Sequence, residues 1–113
     1  MMDKSPLPLT ETTFFILFSL SASPRHGYSI IKEVHRLSEG RITMAAGTLY
    51  GAIKRLVELG WIAQVEKNGK EDDDRDRKYY KLTKNGSARL RQEVRRIQEL
   101  SVLVKDYQPK AGI

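Results

Sequence analysis

The residues with something to offer chemically are concentrated in one stretch, Ala45-Ala46-Gly47-Thr48-Leu49-Tyr50-Gly51-Ala52, followed by Lys54 and Arg55. In a helix with Leu49 and Ala52 turned inward, the outward face is Ala46, Gly47, Thr48, Tyr50 and Gly51, then Lys54. Small residues let a backbone approach base edges closely. A threonine hydroxyl bonds a phosphate or a base, and a tyrosine offers a ring for thymine methyls plus a hydroxyl for phosphate. Two glycines inside a helix cost about 1 kcal/mol each relative to alanine, and a merely solvated face gives no reason to accept that. Between Glu39 and Glu58 there is no acid at all, only Arg41, Lys54 and Arg55. The chemistry that fits is recognition of duplex DNA.

Catalysis finds no footing. There is no phosphate-cradling glycine loop, no nucleophile elbow and no acid pair with independent support. With no cysteine in the chain, thiol nucleophiles, disulfides and thiolate zinc sites are all removed. His26 and His35 have no carboxylate or cysteine completing a ligand set, so they read as surface or helix-terminal histidines. The expectation is a protein that is not an enzyme and holds no metal or cofactor.

Charge points the same way. The 113 residues carry 20 Lys and Arg against 14 Asp and Glu, net +6, with a pI near 9.7, which suits a polyanionic partner. The surplus sits late, with nine bases against three acids over residues 78–113. Residues 66–77 are net acidic, and Glu71-Asp72-Asp73-Asp74 stands among them. The longest apolar run, Phe14-Phe15-Ile16-Leu17-Phe18, is far too short to span a bilayer. Asp3, Lys4 and Glu11 precede it without the basic opening of a signal peptide, so a soluble, cytoplasmic protein without a membrane partner is expected.

The reading face needs a scaffold, and the rest of the chain reads as one. Residues 1–9, with Pro6 and Pro8, look like a flexible arm. Thr10 caps a first helix that starts with Glu11, runs to about Ser21 and stops before Pro24. Its apolar residues surround most of the cylinder, which predicts the most buried helix. Gly27 opens a second helix to about Ser38, striped by Tyr28, Ile31, Val34 and Leu37 and ended by a left-handed Gly40. Thr43 is a candidate cap for the third helix, which places Leu49, Ile53 and Leu56 inward and closes at Gly60. Trp61 to Val65 and Tyr79 to Leu82 read as two strands of a hairpin joined by a long polar tip with Asn68-Gly69. Trp61 is expected to pack on the core. Thr83 caps a fourth helix over about 84–106, with a seam of Leu90, Val94, Ile97, Leu100, Ser101 and Val104. A second copy of the chain is the economical cover for that seam. Arg89, Arg91, Arg95 and Arg96 read as the solvated face opposite it. The fold class is mainly α with a small β-hairpin. Residues 10–83 form a winged helix-turn-helix, 84–106 a C-terminal dimerisation helix and 107–113 a tail.

Several stretches carry a family resemblance. They are His26-Gly27-Tyr28-Ser29-Ile30, Gly47-Thr48-Leu49-Tyr50-Gly51-Ala52-Ile53-Lys54-Arg55-Leu56, Gly60-Trp61-Ile62 and Arg77-Lys78-Tyr79-Tyr80-Lys81-Leu82-Thr83-Lys84-Asn85-Gly86. In their order and content the chain resembles a short member of the PadR family of transcriptional regulators. The resemblance implies a homodimeric winged-helix protein, usually a repressor, that dimerises through its C-terminal helix and binds inverted-repeat operators. It places Thr48, Tyr50, Gly51 and Lys54 at DNA-facing positions and Tyr28 near the backbone, with Arg77 and Lys78 as phosphate contacts at the base of the wing. Some relatives bind flat aromatic drugs between tryptophans on the dimerisation helices. Here that helix has no Trp, only Tyr107 near its end, so a small-molecule effector has no residue pattern behind it. The acidic wing tip departs from the usual basic wing: it turns away from DNA, moderates affinity by repulsion or stays solvated. An alternative reading keeps the fold and makes it a protein-protein interaction module without DNA binding.

Overall fold

A computed structural model describes residues 7–66 and 78–109. In chain order the elements are α1 (Glu11–Ser19), β1 (Arg25–His26), α2 (Gly27–Leu37), α3 (Ala46–Glu58), β2 (Ile62–Val65), β3 (Tyr79–Leu82) and α4 (Lys84–Val104). The three strands form one antiparallel sheet in the order β1-β3-β2, with Gln64 opposite Tyr80 and Ile62 opposite Leu82. Ile16 and Leu17 of α1, Ile30 and Val34 of α2, and Leu49, Ile53 and Leu56 of α3 meet in one core. Ile62, Tyr80 and Leu90 seal it from the sheet and α4.

Local chemistry explains most of the boundaries. The Thr10 side chain accepts from the Thr13 N–H at 3.1 Å, and the Thr83 hydroxyl accepts from the Gly86 N–H at 2.9 Å, so both expected caps are present. α3 ends in a Schellman turn: Gly60, at φ 80°, donates to Val57, and Trp61 donates to Leu56. α2 ends in the same motif shifted by one residue. Glu39, at φ 56°, takes the left-handed position expected of Gly40, which follows at φ 83° and donates to His35.

Five expectations are revised. The third helix begins at Ala46 with Ala45 as an N-cap that makes no side-chain bond, while the Thr43 hydroxyl meets His35 Nδ1 at 3.3 Å instead. The buried stripe of α2 is Gly27, Ile30 and Val34; Tyr28 is exposed, and Ile31 and Leu37 are half-buried. α1 is shorter than expected and not wholly enclosed, with Phe18 40% exposed and stacked on Phe14 at 5.5 Å. β1 joins what was expected to be a two-stranded hairpin. Two of the four arginines on α4 are not idle: Arg89 lies over the Trp61 ring at 5.4 Å, and Arg96 pairs with the buried Glu93 at 2.6 Å. Trp61 itself packs against the core, as its position predicts.

The junction of α3, the wing and α4 is tight. The Thr83 hydroxyl donates to the Gly60 carbonyl at 2.6 Å, and the Thr83 N–H donates to the Trp61 carbonyl at 3.0 Å. A side chain at Gly86 would put its Cβ 1.8 Å from that same Trp61 oxygen, so only glycine lets α4 start there. The segment before α1 is fastened to α4 as well. Leu9 N–H donates to Glu93 at 3.3 Å, and Arg89 donates to the Leu7 carbonyl.

Candidate nucleic-acid interface

α3 is held from behind by Leu49, Ala52, Ile53 and Leu56, all buried, which turns its other side to solvent. Ala46, Gly47, Thr48, Tyr50, Gly51 and Lys54 are all exposed there, and so are Tyr28 on α2 and Lys78 at the foot of β3. Arg77 and the acidic stretch Glu71 to Asp74 lie outside the described residues. Among the described residues a Cβ added at Gly47 or Gly51 would meet nothing within 4 Å, so none of them demands glycine at either position. The turn leading into α3 is braced separately: Ser38 Oγ accepts from the Ile42 N–H at 3.0 Å, and Arg41 pairs with Glu11 at 3.0 Å.

Tyr50 does not stand free. A Cβ placed on Gly27 would fall 2.2 Å from the Tyr50 hydroxyl and 2.7 Å from its Cζ, so the ring rests directly on the glycine that opens α2. Sequence reasoning placed Gly27 only as a helix opener; its signal was the glycine between His26 and Tyr28. The backbone there is fixed by His26, which caps α2 by accepting from the Ser29 N–H at 3.2 Å. Arg25 fixes it further by donating to the Ser19 carbonyl at 2.7 Å and to Ser29 Oγ at 3.0 Å. Lys32 lies over the Tyr28 ring at 5.4 Å, adding a cation beside the exposed end of α2.

Between α3 and the wing runs a groove of about 350 Å³, lined by Tyr50, Ile53, Lys54, Val57 and Glu58 on one side and Gln64 and Tyr80 on the other. Burial, with the Tyr50 phenol nearby, pushes the Tyr80 hydroxyl above its ordinary pKa of 10.0, so it stays protonated. Among the described residues no group of histidines and acids is arranged to hold a metal ion, and no helix is long and apolar enough to cross a membrane.

Residues 16–92 match the transcriptional regulator PadR-like family. The chain belongs to that family. Its geometry agrees with solved PadR structures. A PadR family transcription regulator from Clostridium difficile R20291 is 22% identical, with a TM-score of 0.72 over 87% of this chain and 98% of that one. A PadR-like regulator from Bacillus cereus is 21% identical, with a TM-score of 0.70 over 88% of this chain and 92% of that one. These two likenesses fix the PadR winged-helix fold. A PadR-like transcription factor from Bacteroides fragilis is 29% identical, with a TM-score of 0.63 over 84% of this chain and 87% of that one. A search of curated proteins finds no significant match. PadR-like proteins are transcription regulators that act through DNA, not enzymes.

The seam residues on α4 divide into two groups in this PadR-like chain. Leu90, 7% exposed, is used within the chain's own core, and Val94 packs partly against it. Ile97, Leu100, Ser101 and Val104 are exposed, together with Val102 and Leu103.

Proposed function

We propose that the protein is a cytoplasmic, sequence-specific repressor that binds an inverted-repeat operator as a homodimer. The observation that carries this is the outward side of α3, stripped of bulk at Gly47 and Gly51 although no described neighbour requires it there. Base edges require close backbone approach, and a solvated face does not. Ala46, Gly47, Thr48, Tyr50 and Gly51 form the reading surface, and Lys54, Tyr28, Arg77 and Lys78 act on flanking phosphates. The free apolar end of α4, from Val94 through Ile97, Leu100, Ser101 and Val104, covers the same surface of a second copy. Two recognition helices then enter major grooves about 34–36 Å apart, which sets the half-sites about one helical turn apart.

Selection of bound duplexes from a random pool by the purified protein tests the reading. The expected product is a palindromic site with salt-dependent affinity, bound by two chains. Absence of binding to any duplex at low ionic strength overturns it and favours a protein-binding module on the same fold.

A further inference from the structure

Four side chains with hydrogen-bond donors line the groove between α3 and the wing, and the proposed function uses only two of them. Tyr50 and Lys54 come from α3, and Gln64 and Tyr80 from β2 and β3. Gln64 and Tyr80 are directly opposite in the antiparallel register, so they share one face of the sheet. Tyr80 is only 6% exposed, yet among the described residues its hydroxyl has no hydrogen-bond partner. A hydroxyl that lines an open groove without a protein partner is left to water or to a ligand. Tyr80 is protonated at neutral pH, so it is available to donate. Tyr50, which lines the same groove, is steadied by the contact of its ring with Gly27.

Resting on the DNA-binding reading above, we infer that this groove seats one backbone phosphate of the operator, held by Tyr80, Tyr50, Gln64 and Lys54. When a recognition helix lies in the major groove and a wing flanks it, the strand between the two grooves passes over their junction. Tyrosine hydroxyls, glutamine amides and lysines are the side chains that hold such phosphates. Glu58, one helical turn beyond Lys54, bounds the seat at its far end and repels an anion that slides along the groove. Tyr80 and Gln64 thereby set the register of the wing against the helix without reading sequence.

Replacement of single operator phosphates by neutral methylphosphonates, scanned along both strands, tests the seat with wild-type protein and the variants Tyr80→Phe and Gln64→Ala. The wild type is expected to lose about tenfold in affinity at one particular phosphate per half-site. In Tyr80→Phe the all-phosphate operator binds several-fold more weakly, that one penalty shrinks, and penalties elsewhere persist with base preference unchanged. Gln64→Ala, at an exposed position that does not threaten folding, gives the same pattern, and Glu58→Gln tightens binding. If both variants bind as tightly as wild type with an unaltered phosphate profile, the seat is wrong and the regulator reading survives. If wild-type protein binds no duplex, both fall.

Discussion

Gly27 and Gly47 are glycines for opposite reasons, and substitution separates them. At Gly27 the missing side chain makes room for Tyr50, so Gly27→Ala is expected to displace the ring and weaken specific DNA binding by about tenfold. Tyr50→Ala on its own should also weaken binding, and in the Tyr50→Ala background the further change Gly27→Ala should cost almost nothing. A double-mutant cycle on a selected operator measures this, because residues that share one contact are not additive. At Gly47 the space is open, so Gly47→Ala is expected to raise folding stability by up to about 1 kcal/mol, as alanine does inside a helix. The same added methyl should lower operator affinity by holding α3 away from the bases. Thermal melting and fluorescence anisotropy on one sample read both signs. Stability and affinity moving together would remove the case for a reading role at this glycine.

At the scale of elements, the least expected feature is the fastening of the chain before α1 to α4. Glu93 is nearly enclosed, and its carboxylate takes the Arg96 guanidinium at 2.6 Å and the Leu9 N–H at 3.3 Å, with Arg89 at 4.0 Å. The bond from Arg96, supported by Leu9 and by both arginine charges, holds its pKa below the ordinary 4.5 against the opposing effect of burial. A carboxyl that binds its proton more weakly folded than unfolded stabilises the fold above its unfolded pKa. That benefit disappears as the pH falls through the lower folded value. Glu93→Gln is therefore expected to lower stability by about 1–3 kcal/mol at neutral pH and by progressively less in acid, read by melting between neutral and acidic buffers. The bonds from Leu9 to Glu93 and from Arg89 to Leu7 were not legible, because each joins residues more than eighty apart in sequence. What was legible had a local cause: caps at Thr10 and Thr83, the helix stop at Gly60, and the strand-forming runs Trp61 to Val65 and Tyr79 to Leu82. β1 escaped because two residues carry no periodicity, and its pairing with Tyr79 and Tyr80 is tertiary. Thr43 misled because its hydroxyl finds His35 before it finds a helix N–H. On the candidate site the outward residues of α3 were legible from helical period alone, whereas the support of Tyr50 by Gly27 and the groove beside Tyr80 depend on packing between elements.

As a whole the molecule is long for its size. A compact chain of this length has a radius of gyration of about 13 Å, whereas this one measures 17.0 Å and extends 61 × 38 × 22 Å. α4 contributes to that length, with 21 residues at about 1.5 Å of rise each. Its first half docks through Leu90 and Val94, and every residue from Ile97 to Pro109 is exposed, with Leu103 76% so. A helix end that presents Ile97, Leu100, Leu103 and Val104 to water is a poor end state for an isolated chain, and a second copy offers the matching surface. The paired substitution Leu100→Lys with Leu103→Lys tests this at a place remote from the reading face. It is expected to leave the winged domain folded, with an unchanged melting transition in its core, and to convert the protein to single chains in sedimentation. Each chain then binds one half-site without help from the other, so affinity for the two-half-site operator should fall by about 10²–10⁴, the loss that follows when linked binding events become independent. Affinity for an isolated half-site should not change, because α3, the wing and their charges are untouched. A variant that remains dimeric would move the interface elsewhere. One that becomes monomeric but keeps full operator affinity would show that the two copies never read the DNA together.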